Sequence, residues 1–210
     1  DRQAIGLGAL ARFFRRPGAG AWTAVVVLLR SGEAMATYVF NQMLVDLGLD
    51  VGTIGWISGG VYAVGALLGA LAGGILVELL PRRTALVSFT ALQALALLAY
   101  ALVQNAPLTA LATVVFLVAF TGGMATTALY TTMMDASLPP TAATDFTLQQ
   151  SLCALGPVLG IAFSGFSASF LGFSGHYVLC AGFGVATVLL ILRAEIPGTP
   201  AAALAQSAEA

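Results

Sequence analysis

Residues 53–80 read TIGWISGGVYAVGALLGALAGGILVELL, residues 81–83 read PRR, and residues 84–103 read TALVSFTALQALALLAYALV. The first run holds a single charged residue, Glu78, and the last holds none. About 20 apolar residues suffice for a helix to cross a bilayer. Both runs reach that length, and neither alternates as a strand would. In hydrocarbon every backbone N–H and C=O must be paired within the protein, so a spanning chain is a helix or part of a closed barrel. The stretch therefore predicts two membrane-spanning helices joined by a short basic turn.

The rest of the chain reads the same way. Of its 210 residues, 59% are hydrophobic and 8% are charged, whereas an ordinary soluble domain carries about 25% charged residues. An all-α membrane protein is expected, with spans at residues 19–44, 53–80, 84–103, 108–134, 146–170 and 176–192. Residues 1–18 hold Arg2, Arg12, Arg15 and Arg16 before Pro17-Gly18, and read as a cytoplasmic linker or amphipathic segment. Residues 19–194 make the six-helix bundle, and the Ala-rich residues 195–210 are expected to be a disordered cytoplasmic tail. The sequence opens on Asp1 and shows no signal-peptide pattern, so it is expected to begin partway through a longer protein.

Charge and cysteines narrow the function classes. A net charge of −1 offers no basic surface for nucleic acid. Cys153 and Cys180 both lie within apolar runs and read as small buried hydrophobes, so neither a disulfide framework nor a metal site nor another cofactor is expected. All eight basic residues are arginines. With six spans, every loop arginine (Arg12, Arg15, Arg16, Arg82, Arg83, Arg193) falls on one side of the membrane. Basic loops face the cytoplasm, which places both termini inside.

The spans also repeat with a period of three. The first and fourth hold polar residues at depth. The second and fifth are glycine-rich, with Gly65, Gly69 and Gly73 in one and Gly156, Gly160 and Gly165 in the other. Small residues at such spacing let helix backbones approach closely. The third and sixth are nearly all apolar and suit an outer, lipid-facing position. This is the pattern of a three-plus-three inverted repeat.

Arg30 and Glu33 fall near the middle of the first span, where an unpaired charge costs about 2.5–3.5 kcal/mol even on lenient insertion scales. A spacing of three lets them pair on one helix face. At about 100° per residue, Arg30, Glu33, Thr37 and Asn41 share an arc of roughly 80°. This stripe is the candidate substrate and proton site; the bland alternative is an ion pair that locks two helices. The fourth span carries a weaker stripe, Gly123, Thr126, Thr127, Tyr130 and Met134, in which Thr127 and Tyr130 are substrate candidates. Thr residues of this kind also bond back to their own helix. Asp135 sits at a helix C-terminus, where an acid is disfavoured, and Arg82 or Arg83 should compensate it. Asp145 sits in the first turn of the fifth span with Thr144 as a candidate N-cap, so a capping role is expected there. Gln149 and Gln150, one turn deeper, could bond to substrate or to a neighbouring helix. Gly165-Phe166-Ser167-Ala168-Ser169 resembles a nucleophile elbow only loosely. His176 is expected at the far membrane edge, out of reach as a base, so catalysis is not expected.

Three stretches resemble a known family. Gly74-Ile75-Leu76-Val77-Glu78-Leu79-Leu80-Pro81-Arg82-Arg83 is similar to the major facilitator loop signature G-x-x-x-D-x-x-G-R-R/K, with Glu for Asp and Pro for the second Gly. Gly156-Pro157-Val158-Leu159-Gly160 resembles the G-P-x-x-G of a cavity-facing facilitator helix. Met134-Asp135 followed by residues 141–150 (TAATDFTLQQ) resembles the same connection in facilitators that import siderophores, such as the rhizobactin and pyochelin importers, with muropeptide permeases and acetyl-CoA transporters more distant. The resemblance implies the C-terminal half of a major facilitator, a gating role for Gly74, Glu78, Arg82 and Arg83, and alternating access between two six-helix bundles. Its implied partners are the lipid bilayer, a small organic solute, protons, and a missing N-terminal half in the same polypeptide, a second copy or another chain. An exporter on the same fold and a six-span scaffold that moves nothing are the competing readings.

Overall fold

The computed structural model describes residues 7–194. The expectations for residues 1–6 and for the tail from residue 195 lie outside that range. All regular structure among the described residues is helical. The short α1, Leu7–Phe14, is followed by α2, Ala19–Asp46. Next come α3, Val51–Leu79, α4, Arg82–Leu102, and α5, Leu108–Asp135. A 3-10 turn at Pro139–Thr141 leads into α6, Ala142–Arg193. Five helical segments, α2 to α5 and the stretch containing α6, are long and apolar enough to cross a membrane.

Local chemistry sets the boundaries. Asp50 caps α3, accepting from the Thr53 N–H at 2.9 Å and the Thr53 hydroxyl at 2.6 Å. These two donors hold the Asp50 carboxyl below the usual carboxylate range. Pro81 and Pro107 stand at the N-caps of α4 and α5 with extended ψ. Such a position suits proline, because the first N–H groups of a helix have no partner inside it. Within α3 the α-helix widens into a π turn over Trp56–Val61, just before Tyr62.

The fifth and sixth spans differ from the sequence expectation. They remain two helices, but they meet at a kink confined to Gly172 rather than across a Gly172–Gly175 loop, within a continuous stretch of 52 residues. At 1.5 Å per residue that stretch would measure about 78 Å unbroken, more than twice the hydrocarbon thickness of about 30 Å. Gly172 takes φ 66 and ψ 176, a backbone state that glycine reaches without a steric penalty, and there the chain doubles back. The two arms, residues 142–171 and 173–193, return to the same level of α2. A Cβ on Gly156 of the first arm would lie 2.5 Å from the Val27 carbonyl oxygen. A Cβ on Gly32 would lie 2.9 Å from the Cys180 carbonyl oxygen of the second arm. His176, just past the kink, is accordingly buried within the bundle.

The interior is layered. One apolar cluster gathers Trp22, Val26, Leu29, Phe89, Leu129 and Met133 toward the arginine-bearing end. A second gathers Met35, Phe40, Leu97, Tyr100, Val118 and Tyr177 toward the other. Residues 30–33 of α2 lie between the two, so the charged residues near the middle of that helix occupy a thin layer. The arginine-bearing end is one face of the bundle. There Arg16 meets Asp145, Arg82 meets Asp135, and Arg83 donates to the Leu192 carbonyl oxygen.

Backbone contact between α3 and α5 fixes the wall of this layer. A Cβ on Gly69 would collide with the Phe120 carbonyl oxygen, and one on Gly123 with the Ala66 carbonyl oxygen. Carbonyl groups of a helix cannot yield as a side chain can. Gly69→Ala is expected to lower stability by at least the ~1–3 kcal/mol of ordinary overpacking. Gly74→Ala, whose Cβ would meet nothing within 4 Å, should leave it unchanged within about 0.5 kcal/mol. Thermal unfolding of the two purified variants in one detergent checks the contrast.

Candidate functional site

The middle layer is built around one helix. Arg30 and Glu33, three residues apart on α2, form an ion pair with Arg30 Nη1 2.6 Å from Glu33 Oε2. The pair is asymmetric: the Arg30 side chain is 25% exposed and that of Glu33 8%. Three other residues complete it. Tyr62 of α3, directly after the π turn, donates its hydroxyl to Glu33 Oε1 at 2.8 Å. Thr126 of α5 accepts from Arg30 Nη1 at 3.1 Å. Gly122, one turn before Thr126, leaves room for the carboxylate, since a Cβ there would lie 2.7 Å from Glu33 Oε1. A buried ion pair offsets its desolvation only if its remaining hydrogen-bond sites are filled. Tyr62 and Thr126 contribute to that here.

Two cavities open beside this pair, and both are lined by Arg30, Glu33 and Tyr62. The first, about 250 Å³, is completed by Thr37, Tyr38 and Asn41 of α2 and by Pro157 and Ile161 of α6. The second, about 370 Å³, is completed by Ala66 and Ala70 of α3 and by Gly123, Thr126, Thr127 and Tyr130 of α5. The stripes read from the first and fourth spans thus meet at Arg30 and Glu33. A partly exposed guanidinium between two polar-lined spaces can bind an anionic group. A buried carboxylate beside it can carry a proton.

The structure sorts the other candidates. Asn41 accepts from the Ser58 hydroxyl at 2.6 Å while lining the first cavity. Thr127 bonds back to Gly123 at 3.0 Å and still lines the second. Gln149 faces neither cavity. It accepts from the Trp22 indole N–H at 2.7 Å and donates to the Met133 carbonyl oxygen at 3.1 Å. Its hydrogen bonds join α2, α5 and α6 rather than facing open space, and Gln150 lines neither cavity. The N-cap of α6 is Thr141 rather than Thr144. Asp145, although in the first turn, accepts from Arg16 Nη2 at 2.7 Å, from the Leu138 N–H at 3.1 Å and from the Thr141 hydroxyl at 3.0 Å. It therefore ties α6 to the chain ahead of α2.

The signature loop is arranged around Asp135. Arg82 Nε lies 2.9 Å from Asp135 Oδ2. Glu78 is exposed and makes no ion pair among the described residues, and a Cβ on Gly74 would touch nothing. The expectation that His176 lies out of reach of a serine is not met. Ser167 Oγ lies 2.8 Å from His176 Nδ1, because the chain doubles back at Gly172. Both side chains are buried, and His176 Nε2 is held at 3.2 Å by the Met35 carbonyl oxygen. The pair links the arms of α6 to α2 and lines neither polar cavity.

The sequence reading missed Tyr62, and it missed Gln93 of α4, whose Nε2 would lie 3.3 Å from a Cβ on Gly122 beside Glu33. Tyr62 lies in a span read only for its glycines. Gln93 is the one amide in a span read as featureless. In both cases an isolated polar group in an apolar run was the available signal.

Comparison with known proteins gives a consistent result. The family model described as Major Facilitator Superfamily matches residues 22–209. The anhydromuropeptide permease of Escherichia coli (strain K12) is 29% identical over 183 residues, covering 86% of this chain and 37% of that protein. The anhydromuropeptide permease of Escherichia coli O157:H7 matches with the same figures. The chain thus spans little more than a third of the length of these relatives.

The Arg16–Asp145 pair yields a test independent of transport. Asp145 is buried and Arg16 is nearer the surface, with side-chain exposures of 6% and 16%. Arg16→Met should strand the carboxylate and cost about 3–5 kcal/mol, the usual penalty for breaking a buried pair. Asp145→Asn, which keeps an acceptor beside Arg16, the more exposed of the two side chains, should cost less. Chemical or thermal unfolding of both variants reads the difference.

Proposed function

We propose that this chain, which belongs to the Major Facilitator Superfamily, is one six-helix half of a proton-coupled secondary transporter. That family is one of membrane transporters and not of enzymes. In this reading the two arms of α6 are separate crossings, and the six spans form two inverted triplets. The arginine-bearing face is cytoplasmic, with both termini inside and the protein in a bacterial inner membrane. The other half is supplied by the same polypeptide, a second copy or another chain.

The observation that carries the proposal is the shared position of Arg30, bonded to Glu33 and open to both cavities. The solute is a small organic molecule bearing an anionic group. Siderophores fit that chemistry, as do the anhydromuropeptides in the names of the relatives. When the anion draws Arg30 away, Glu33 is left without its counter-charge in a low-dielectric layer. A carboxylate in that position gains by taking up a proton. Solute and proton then cross together as the two bundles rock about the layer. When the solute leaves, Arg30 returns to Glu33 and expels the proton. Asn41, Thr127 and Tyr130 supply neutral hydrogen bonds to the solute.

Membrane vesicles carrying the intact protein test this, using labelled anhydromuropeptide and labelled ferric siderophore under an imposed pH gradient. Glu33→Gln should retain solute exchange and lose accumulation driven by the gradient. Arg30→Met should weaken solute binding about tenfold or more, as expected from losing a charge-assisted bond of ~1.5–3 kcal/mol. Gradient-driven accumulation by Glu33→Gln equal to that of the parent would refute the coupling role. Uptake into right-side-out against inverted vesicles decides between import and export.

A further inference from the structure

Gln93 of α4 lies deep in the bundle, 5% exposed, with its amide nitrogen buried and without a hydrogen-bond partner. Its carbonyl oxygen accepts from the Thr121 hydroxyl of α5. The nitrogen borders the space that Gly122 leaves empty. A Cβ on Gly122 would lie 3.3 Å from Gln93 Nε2 and 2.7 Å from Glu33 Oε1. The amide nitrogen and the carboxylate oxygen are therefore at most 6.0 Å apart, the sum of those distances. That is close enough for a side-chain rotation or one bridging water to join them. Gly122 also lines the larger cavity, so this notch opens onto it.

We infer that Gln93 is a positioning residue for Glu33, and that its amide reverses direction when Glu33 gains or loses a proton. The inference rests on the proton-carrying role proposed for Glu33. With Glu33 ionised, Gln93 Nε2–H donates toward Oε1 of the carboxylate, and Gln93 Oε1 accepts from Thr121. With Glu33 protonated, the amide turns over. The Glu33 O–H then donates to Gln93 Oε1, and Nε2–H donates to Thr121 Oγ1. Thr121 can serve both states because its hydroxyl has a second acceptor, the Leu117 carbonyl oxygen at 2.9 Å. No bond other than hydrogen bonds changes, and the proton stays on Glu33. An amide suits this role because it presents a donor and an acceptor on one rigid plane.

The charged and titratable groups around Glu33 leave this place to Gln93. Arg30, on its own helix, holds Oε2. Tyr62 of α3 donates to Oε1. Tyr100 of α4 and Cys153 of α6 are buried in the neighbouring apolar clusters, and Tyr130 of α5 lines the same larger cavity. On α5, Thr126 is engaged with Arg30. When Arg30 moves to a solute, the neutral acid needs an acceptor, and Gln93 is the amide next to it.

Infrared difference spectroscopy of the intact protein in nanodiscs, titrated with acid and base and without solute, tests the inference. The carboxyl band removed by Glu33→Gln is assigned to Glu33. In Gln93→Leu its pH profile should move upward by about one unit. Hydrogen bonds to charged groups exceed those to neutral ones by roughly that amount of free energy. Gln93→Met, which retains the side-chain length, should move it the same way and serves if the leucine variant does not fold. Thr90→Val, at a buried neighbouring position on α4, should leave the profile in place. A profile in both folded Gln93 variants that superimposes on that of the parent overturns the inference, whatever happens to stability. If Glu33→Gln removes no carboxyl band in the parent, the same comparison is made on an Arg30→Met background, which leaves Glu33 without its counter-charge; if none is lost there either, the proton-carrying reading itself fails instead.

Discussion

Placing Arg30 and Glu33 in the middle layer constrains everything around them. Neither charge tolerates hydrocarbon alone, and each has hydrogen-bonding capacity that its partner cannot fill. The surrounding helices are arranged accordingly. The π turn in α3 ends at Tyr62, which reaches Glu33. α5 passes close to α3 through Gly69 and Gly123, which brings Thr126 to Arg30 and leaves the Gly122 notch beside Glu33. The apolar clusters above and below confine the charged pair to about one helical turn. Within that turn, the guanidinium is the more open of the two groups to the cavities that both line.

The ends of the bundle are held differently. At the arginine-bearing face, charge pairs dominate: Arg16 with Asp145 and Arg82 with Asp135. The second of these is largely exposed and contributes little by itself. At the opposite end the ties are neutral. Gln104 donates to Ser174 at 2.7 Å, joining the α4 terminus to the turn of α6. The aromatic rings of Phe40, Tyr100 and Tyr177 stack beneath it. Salt therefore bears on the interhelical ties of the first end more than on those of the second.

Much of this was legible in the residues. Run lengths and the scarcity of charge give the helices. The three-residue spacing of Arg30 and Glu33 gives their pairing, and the helical arc from Arg30 to Asn41 gives one wall of a cavity. Asp135 at a helix end called for a basic partner, and Arg82 is there. What escaped depends on three-dimensional register. A single glutamine such as Gln149 could face either substrate or protein, and only the positions of Trp22 and Met133 decide that. Asp145 fits a helix N-terminus locally, yet its main partner, Arg16, lies 129 residues away in sequence. The fold-back at Gly172 brings Ser167 and His176 together, which spacing alone cannot anticipate. Tyr62 and Gln93 were passed over because a lone polar residue in an apolar run carries no periodic signal.

The ion pair also bears on how the chain is made. Its two members belong to a single helix, so α2 carries its own counter-ion. The helix can leave the translocation machinery for lipid with its mid-span charges already paired, before Tyr62 or Thr126 has been synthesised. Its tightest partners, the arms of α6, emerge more than a hundred residues later. Had the acid and the base been placed on different helices, each would have waited in the bilayer as a bare charge until the other arrived. An intrahelical pair removes that interval, and the order of synthesis no longer limits where the charges can sit.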